Sequence, residues 1–261
     1  MHATSLLRPA LAILLSAACA LGHAQKTLKA PGAYEPAIGQ EGKDVVWVPT
    51  TQELVDKMLD MAKVTPRDYV IDLGSGDGRT VITAAKRGAR ALGIEYNPDM
   101  VELSKRNAEK EGVSDRATFV KADLFESDFS RATVITMFLL PEINLKLRPK
   151  ILKLKPGTRV VSNTFTMGEW KADETASETP TCEASWCTAL LWIVPARVAG
   201  AYDIPLGRLV LKQEFQMLSG TLTSEGKTFA LQGKVNGEEI TFAAAGREFR
   251  GRKNGKQLEL R

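Results

Sequence analysis

The sequence is poor in histidine and cysteine, and it has no strong excess of charge of one sign. Only two histidines occur, His2 and His23. The rest of the chain therefore lacks the side chain that most often serves as general base and metal ligand, and we expect no bound metal. Three cysteines in 261 residues exclude a disulfide-dense miniprotein. With 35 basic and 31 acidic residues, the net charge of +4 argues against a dedicated nucleic-acid-binding protein.

Residues 1–24 have the pattern of a secretory signal peptide. Arg8 precedes an apolar stretch from Pro9 to Leu21, and small residues lie near a cleavable bond after Ala24. We expect an exported, periplasmic protein, with an uncleaved membrane anchor as the alternative. After signal removal, no apolar run reaches the roughly 18–20 residues that a membrane-spanning helix needs.

Two cysteines follow the signal peptide, Cys182 and Cys187. In an exported chain they could form one disulfide across a short loop, and two free thiols are the alternative. Because no histidine and no further cysteine accompany them, they make a poor zinc site.

The middle of the chain alternates short apolar strands with amphipathic helices. A capping box with Thr50 as cap and Glu53 as its partner predicts the start of the first helix. Strands that alternate with helices predict right-handed crossovers and a Rossmann-like, doubly wound, mostly parallel sheet with helices on both faces. The predicted strands are 69–73, 91–96, 117–122, 132–138 and 159–165, and the predicted helices are 51–63, 80–87, 98–111 and 145–154.

The helical pattern stops near residue 195, and two Asn-Gly dipeptides follow, at Asn236-Gly237 and Asn254-Gly255. Asn-Gly between strand-like runs is typical of type I′ hairpin turns, which need positive φ at both central residues. The fold class is therefore α/β with a small C-terminal antiparallel β domain. The predicted organisation is a signal peptide (1–24), an irregular lead-in (25–44), an α/β domain (45–195) and a β domain (196–261). The tail's 11 basic and 7 acidic residues indicate a solvated basic face or, alternatively, a surface for an anionic partner.

A glycine-rich loop, Asp72-Leu73-Gly74-Ser75-Gly76-Asp77-Gly78, follows the first predicted strand and opens a helix. Alternate glycines let a backbone approach a ligand closely and adopt conformations that a Cβ forbids. The spacing fits neither the dinucleotide fingerprint G-x-G-x-x-G nor the phosphate loop that ends in G-K-[ST]. Glu95 and Asp123 end the next two predicted strands, and ligands in such sheets bind at the carboxyl ends of the strands.

The D-x-G-x-G-x-G spacing, together with Glu95 and Asp123, resembles the class I S-adenosylmethionine-dependent methyltransferases. The resemblance implies S-adenosylmethionine as cofactor, with Glu95 on its ribose hydroxyls and Asp123 near its adenine amino group. In the alternative interpretation, Glu95 and Asp123 only cap helices and bind no cofactor. The residues implied in cofactor binding are Asp72, Gly74, Ser75, Gly76, Asp77, Gly78, Glu95, Tyr96, Asp123 and Leu124.

A second set of motifs is similar to a narrower family. Trp47-Val48-Pro49-Thr50 and Leu139-Leu140-Pro141-Glu142, with the glycine loop between them, resemble the small protein-lysine methyltransferases that include the ATP-synthase c-subunit enzyme and its prokaryotic relatives. The resemblance covers roughly residues 45–170 and implies a protein substrate. It places Pro49, Thr50, Leu140 and Pro141 at the acceptor entrance, unless these prolines only set loop geometry. It leaves the catalytic residues unassigned.

A missing motif further limits which class of molecule can be the methyl acceptor. Many enzymes that methylate amino groups of nucleic acids carry [ND]-P-P-[FYW] after the fourth strand, where this chain has Phe138-Leu139-Leu140-Pro141. We therefore expect a protein lysine and no nucleic acid. A channel lined by Trp47, Phe138 and Leu140 would depress the pKa of the incoming amine by desolvation.

Export conflicts with a cofactor that is made in the cytosol. The start or the signal could be misread, the segment could anchor a cytosol-facing protein, or cofactor could reach the periplasm. The competing hypothesis is an exported, non-catalytic binding protein that uses the methyltransferase-like scaffold and the β tail.

Overall fold

Two seven-stranded sheets organise the part of the chain that the computed structural model describes, residues 34–177, 186–254 and 257–260. The predicted signal peptide and Cys182 lie outside these ranges. None of the helices within them is both long enough and apolar enough to cross a membrane.

The first sheet is built from alternating strands and helices. In chain order the elements are α1 (Gln52–Met61), β1 (Tyr69–Leu73), α2 (Arg79–Lys86), β2 (Arg90–Glu95), α3 (Pro98–Lys110), β3 (Ala117–Lys121), β4 (Val134–Met137), α4 (Pro141–Ile151), β5 (Arg159–Asn163), β6 (Glu174–Ser177) and β7 (Thr188–Ile193). The strand order is β3-β2-β1-β4-β5-β7-β6, and β7 is antiparallel to both of its neighbours. The predicted mostly parallel sheet is confirmed, although the sequence pattern does not predict β6 and β7.

Both faces of this sheet are covered, because its central strands are apolar on both sides. Four of the five residues of β1 and all four of β4 are buried, as in strands packed between helices. Helices α1, α2 and α3 pack on one face through residues such as Leu54, Val81 and Val101. Helix α4 packs on the other face through Ile143 and Leu147.

The direction in which successive strands are added to the sheet reverses at β1, although the strands themselves stay parallel there. Strand β1 pairs with β2 on one side and with β4 on the other, both in parallel. Crossovers run outward from β1 to β3, and the chain then returns to β4 and continues to β5. A crevice for a ligand opens at such a point, outside the carboxyl ends of the strands.

The second sheet is an antiparallel meander. Its strands, adjacent in chain order, are β8 (Gly200–Ile204), β9 (Gly207–Glu214), β10 (Met217–Ser224), β11 (Lys227–Asn236), β12 (Glu239–Ala244), β13 (Arg247–Asn254) and β14 (Gln257–Leu260). Burial alternates along β12, so that Ile240, Phe242 and Ala244 face a core shared with the other strands. The predicted C-terminal antiparallel sheet is confirmed. Its predicted boundary at 195/196 falls between β7 and β8 and stays a prediction.

The first predicted hairpin forms with a different turn. Asn236 ends β11 and pairs with Glu239, which leaves Gly237 and Glu238 as the turn residues. Of these two, only Gly237 has a positive φ, 59°. The turn is therefore not of type I′, and glycine in its first central position is the type II′ pattern. Asn254 likewise pairs with Gln257, and the turn between them lies outside the described residues.

Two predicted helix starts are wrong. Thr51, not Thr50, caps α1 through its side-chain oxygen. The Thr50 hydroxyl instead accepts a hydrogen bond from Asn163 Nδ2 at 3.2 Å, so it serves the end of β5. Helix α4 begins at Pro141 rather than at residue 145, because proline suits a first helical position, where the amide has no helical partner.

Candidate functional site

A cavity of about 520 Å³ opens at the carboxyl edge of the first sheet. Its wall includes an unbroken run, residues 40–50, that precedes α1. Most of the predicted site residues line it, namely Pro49, Thr50, Asp72, Gly74, Ser75, Gly76, Asp77, Glu95, Tyr96, Asp123, Leu124 and Leu140. Two predicted residues, Gly78 and Pro141, are not in its wall. The cavity therefore brings together residues from the ends of strands that are far apart in sequence.

The glycine loop bends tightly between β1 and α2. The amides of Gly74 and Ser75 both donate to the Ile94 carbonyl, at 2.9 and 3.1 Å. Gly76 has φ of 54°, and a Cβ there would lie 2.7 Å from Trp47 Nε1. Glycine is required at this position by both the backbone conformation and the close approach of Trp47.

Gly78 serves packing rather than the cavity. It precedes α2 with φ of 84°, and a Cβ there would lie within 2.8 Å of the Phe119 ring and 2.9 Å of Ser104 Cβ. Gly78 is absent from the cavity wall because it packs against Phe119 of β3 and Ser104 of α3.

The Asp77 carboxylate forms an ion pair with the neighbouring Arg79 side chain. Its carboxylate accepts from Arg79 Nε and Nη2, at 3.0 and 2.6 Å. Arg79 Nη1 in turn donates to the Thr50 carbonyl at 2.7 Å. The pair thus fastens the chain before α1 to the glycine loop, a role that the motif does not predict.

Glu95 is oriented by backbone amides at the end of β2. Its Oε2 accepts from the Gly76 amide at 3.0 Å and its Oε1 from the Asn97 amide at 2.9 Å. Each carboxylate oxygen retains a further lone pair, so both can still accept from a ligand. The hydrogen bonds fix the carboxylate in one orientation toward the cavity.

Asp123 follows β3 and pairs with a residue from far along the chain. Its Oδ1 accepts from the Phe125 amide at 2.8 Å, and its Oδ2 forms an ion pair with Lys43. The Lys43 ammonium also lies 4.9 Å from the centre of the Tyr96 ring. The hydrogen bond from Lys43 holds the pKa of Asp123 below its usual range.

Asp72 is the most deeply buried acid of the site. Its Oδ1 accepts from the Thr136 hydroxyl at 2.7 Å. The pKa of Asp72 is raised to about 7, mainly by burial and also by the charges of Glu95 and Asp77, against the opposing Thr136 hydrogen bond. A cation bound nearby would favour the ionised form.

One side of the cavity carries three aromatic rings. Phe138 stacks on Phe165 with ring centres 5.9 Å apart, and it meets Trp186 edge-on at 6.1 Å. All three rings belong to residues of the cavity wall, as do Pro49 and Leu140. The sequence predicts this place for Phe138 but not for Phe165 or Trp186.

Three acids and three aromatic rings divide the cavity into two halves. The acids, Asp72, Glu95 and Asp123, lie in β1, at the end of β2 and after β3, whereas the rings follow β4 and β5 and precede β7. Because β7 is antiparallel, its beginning meets the carboxyl end of β5, where Ala189 pairs with Asn163. The cavity thus has an acidic half and an aromatic half.

The charge of the cavity favours a cation. Among the described residues, its wall holds two basic side chains, Lys43 and Arg79, against six carboxylates, Glu41, Asp44, Asp72, Asp77, Glu95 and Asp123. The glycine loop, the acids at three strand ends and the cavity size fit a nucleoside with a sulfonium centre, and the size is that of ordinary cofactor sites. The part of the chain that the structure describes contains no cluster of three or more histidine, cysteine or acidic side chains that could hold a metal ion.

Comparisons with known proteins agree on the cofactor chemistry. The family model described as the ANTKMT methyltransferase domain matches residues 72–174. A protein-lysine N-methyltransferase of Saccharolobus islandicus (strain REY15A) is 50% identical over 133 residues, which are 50% of this chain and 83% of that protein. The human lysine N-methyltransferase of the ATP-synthase c-subunit is 35% identical over 133 residues, 51% of this chain and 57% of the human protein. The chain thus covers less than two thirds of the human relative.

One solved structure of a relative contains the product that the cofactor leaves after methyl transfer, and its name gives a different methyl acceptor. The crystal structure of an RNA methyltransferase from Salinibacter ruber in complex with S-adenosyl-L-homocysteine is 46% identical, with a TM-score of 0.54. The match covers 58% of this chain and 96% of that one. These relatives share methyl transfer and differ in the acceptor that their names give. None of them favours the alternative of a non-catalytic scaffold.

Proposed function

Because the chain belongs to the S-adenosylmethionine-dependent protein-lysine N-methyltransferase family, we propose that it methylates the ε-amine of a lysine in another protein. Its cofactor is S-adenosylmethionine, which supplies an activated methyl group when bound. In this proposal Glu95 and Asp123 hold the ribose and the adenine, and the glycine loop from Asp72 to Gly76 approaches the rest of the cofactor.

The aromatic half of the cavity is the observation that carries the acceptor proposal. A lysine side chain combines an alkyl stem with an amine, and aromatic rings pack on the stem and attract the cationic head through their faces. Phe138, Phe165 and Trp186 offer such surfaces on the side of the cavity away from Glu95 and Asp123. Pro49, Thr50 and Leu140 complete this side, and Pro141 starts the helix that follows.

The amine must lose its proton before it can react, because an ammonium has no lone pair. Apolar rings around the acceptor depress its pKa by desolvation, so that a larger share arrives neutral. The chain's contribution is then alignment and exclusion of water rather than a dedicated general base. This suits a protein whose two histidines, His2 and His23, belong to the predicted signal peptide.

A nucleic-acid acceptor, as named for the Salinibacter relative, is disfavoured by charge. A phosphate backbone binds through lysine and arginine side chains, whereas carboxylates outnumber basic side chains by six to two among the described residues of the cavity wall. The same excess of carboxylates attracts a cationic lysine.

Transfer of a labelled methyl group tests the proposal. Purified protein, labelled S-adenosylmethionine and cell-envelope extracts are incubated together, and the labelled material is digested with protease and, separately, with nuclease. We expect label that only the protease releases. The Gly76→Arg variant should abolish it, since a side chain at Gly76 collides with Trp47. Label released by nuclease would contradict the lysine acceptor.

We further propose that the protein is exported. The signal-like pattern of residues 1–24 supports this, as does Cys187, which is disulfide-bonded, because disulfides persist in oxidising compartments. Mass spectrometry of the native protein should find an N-terminus at Gln25. An intact N-terminus at Met1 would contradict cleavage.

A further inference from the structure

The segment before α1 forms part of the cofactor cavity and has an ordered conformation of its own. Within this segment, residues 34–50, the Gly39 amide donates to the Trp47 carbonyl at 2.8 Å, and the Trp47 amide donates to the Gln40 carbonyl at 2.9 Å. Trp47 packs against Gly76 of the glycine loop. The segment therefore lies against the loop on which cofactor binding depends.

Lys43, in the middle of this segment, contacts two residues of the adenine side. Its ammonium forms an ion pair with Asp123 and lies over the Tyr96 ring. Lys43 and Asp123 are 80 positions apart, so the contact is made by the fold and not by local sequence. A bound adenine needs the same carboxylate for its amino group, and the Tyr96 face would suit its ring.

The ion pair is weak enough to be exchanged. Lys43 and Asp123 retain 34% and 26% of their side-chain exposure, so water screens the pair. The hydrogen bond to Asp123 raises the pKa of Lys43, so its ammonium stays charged at neutral pH. The pair can therefore form when no ligand is bound, and a ligand that needs Asp123 can displace Lys43.

We propose that Lys43 is an autoinhibitory latch, which closes residues 34–50 over the cavity and competes with the adenine of the cofactor for Asp123 and Tyr96. Cofactor binding then releases the segment from Asp123, and cofactor loss lets Lys43 return. The latch acts on the cofactor side alone and does not depend on which acceptor is methylated.

Binding of 5′-methylthioadenosine, an uncharged compound with the adenine and ribose of the cofactor, tests the latch by calorimetry. Lys43→Met should bind it about two- to fivefold more tightly than the wild type, which is the range for loss of one exposed ion pair. Lys43→Arg keeps the ion pair and should bind like the wild type. Lys105→Met is the matched control, because it removes another exposed lysine–carboxylate pair, with Glu102, outside the cavity wall.

Salt gives a second test that needs no activity. Raising the ionic strength from about 0.1 to about 1 M should strengthen binding to the wild type, because screening weakens Lys43–Asp123 and the probe is uncharged. The Lys43→Met variant should show less of this gain. Unchanged or weaker binding by Lys43→Met, relative to Lys105→Met, would overturn the latch and make Lys43 part of the adenine site.

Discussion

At the scale of single residues, we expect cofactor affinity to depend most directly on Glu95. Glu95→Ala removes a carboxylate that two backbone amides hold in place. We expect cofactor binding to weaken by about 1.5–3 kcal/mol, the range for a hydrogen bond to a charged group. Calorimetry with S-adenosylhomocysteine measures this. Glu102→Ala, a surface control on α3, should bind like the wild type, and equal affinity in both variants would refute the role of Glu95.

Asp72 makes stability depend on pH. Its pKa is about 7 in the folded protein, against an ordinary value of 3.8. Between these values only the folded state keeps the proton, so folding is favoured at low pH and this stabilisation is lost as the pH rises through about 7. Urea unfolding from pH 5 to 8 should show a falling free energy of unfolding, by less in Asp72→Asn than in the wild type. The same slope in both proteins would show that Asp72 is not the titrating group.

The acids of the site were predictable from sequence, and its long-range partners were not. Asp72, Glu95 and Asp123 occur where apolar runs end, and the ends of parallel strands meet at one edge of a sheet. No local signal joins Lys43 to Asp123 or Trp186 to Phe138, because their contacts depend on how the segments flanking the sheet fold back. Asp77 shows the reverse case, since its place in the motif predicts a ligand role while Arg79 occupies its carboxylate.

At the scale of elements, the described residues just before β7 place Trp186 in the aromatic half of the cavity. Trp186 extends the ring pair of Phe138 and Phe165, so Trp186→Ala should raise the KM for a lysine peptide several-fold while cofactor affinity stays unchanged. Trp186→Phe keeps an aromatic face and should recover most of the loss. Steady-state kinetics with the peptide as varied substrate, beside calorimetry of S-adenosylhomocysteine, separates the two effects. A KM that is indifferent to Trp186→Ala would remove this ring from the acceptor site.

The strands of the second sheet were predictable in kind, and most of their turns were not. The hairpin between β10 and β11 turns through Glu225-Gly226, and the hairpin between β12 and β13 turns through Ala245-Gly246, with positive φ at all four residues. Positive φ at both central residues is the type I′ pattern, but its first position holds Glu225 or Ala245, which rarely adopt positive φ, so neither hairpin carries the Asn-Gly signature. Strand β6, in the first sheet, was not predictable for another reason. Only Ala176 of its four residues is even partly buried, which leaves almost no apolar pattern to detect.

At the scale of the whole molecule, the two sheets are fastened together by the turn between β9 and β10. Phe215 stacks on Trp170 at 6.1 Å, and Gln216 Nε2 donates to the Lys171 carbonyl at 2.7 Å. Lys234 of β11 adds an ion pair with Asp173 at 2.8 Å. These contacts make the second sheet a structural part of the molecule that carries the cofactor site.

Gln216→Ala should therefore destabilise both sheets together. Gln216 is buried, so losing its hydrogen bond should cost about 1–3 kcal/mol. Tryptophan fluorescence reports on the first sheet, since all four tryptophans precede residue 196, and hydrogen exchange reports on the second. Both should shift by the same free energy, and the exposed Gln232→Ala of β11 should shift neither. Separate transitions in the two sheets would contradict this coupling.

The most direct test of lysine methylation is to locate the methyl group after transfer. The purified protein is incubated with S-adenosylmethionine and a protein acceptor from the extracts, and the product is sequenced by mass spectrometry at several pH values. We predict added methyl groups on a lysine ε-amine, absent with Gly76→Arg, and a rate that rises with pH to about 8–9 as more free amine is present. Methyl groups on a carboxylate, a hydroxyl or a nucleobase, or a rate that falls between pH 7 and 9 while the protein stays folded, would contradict it.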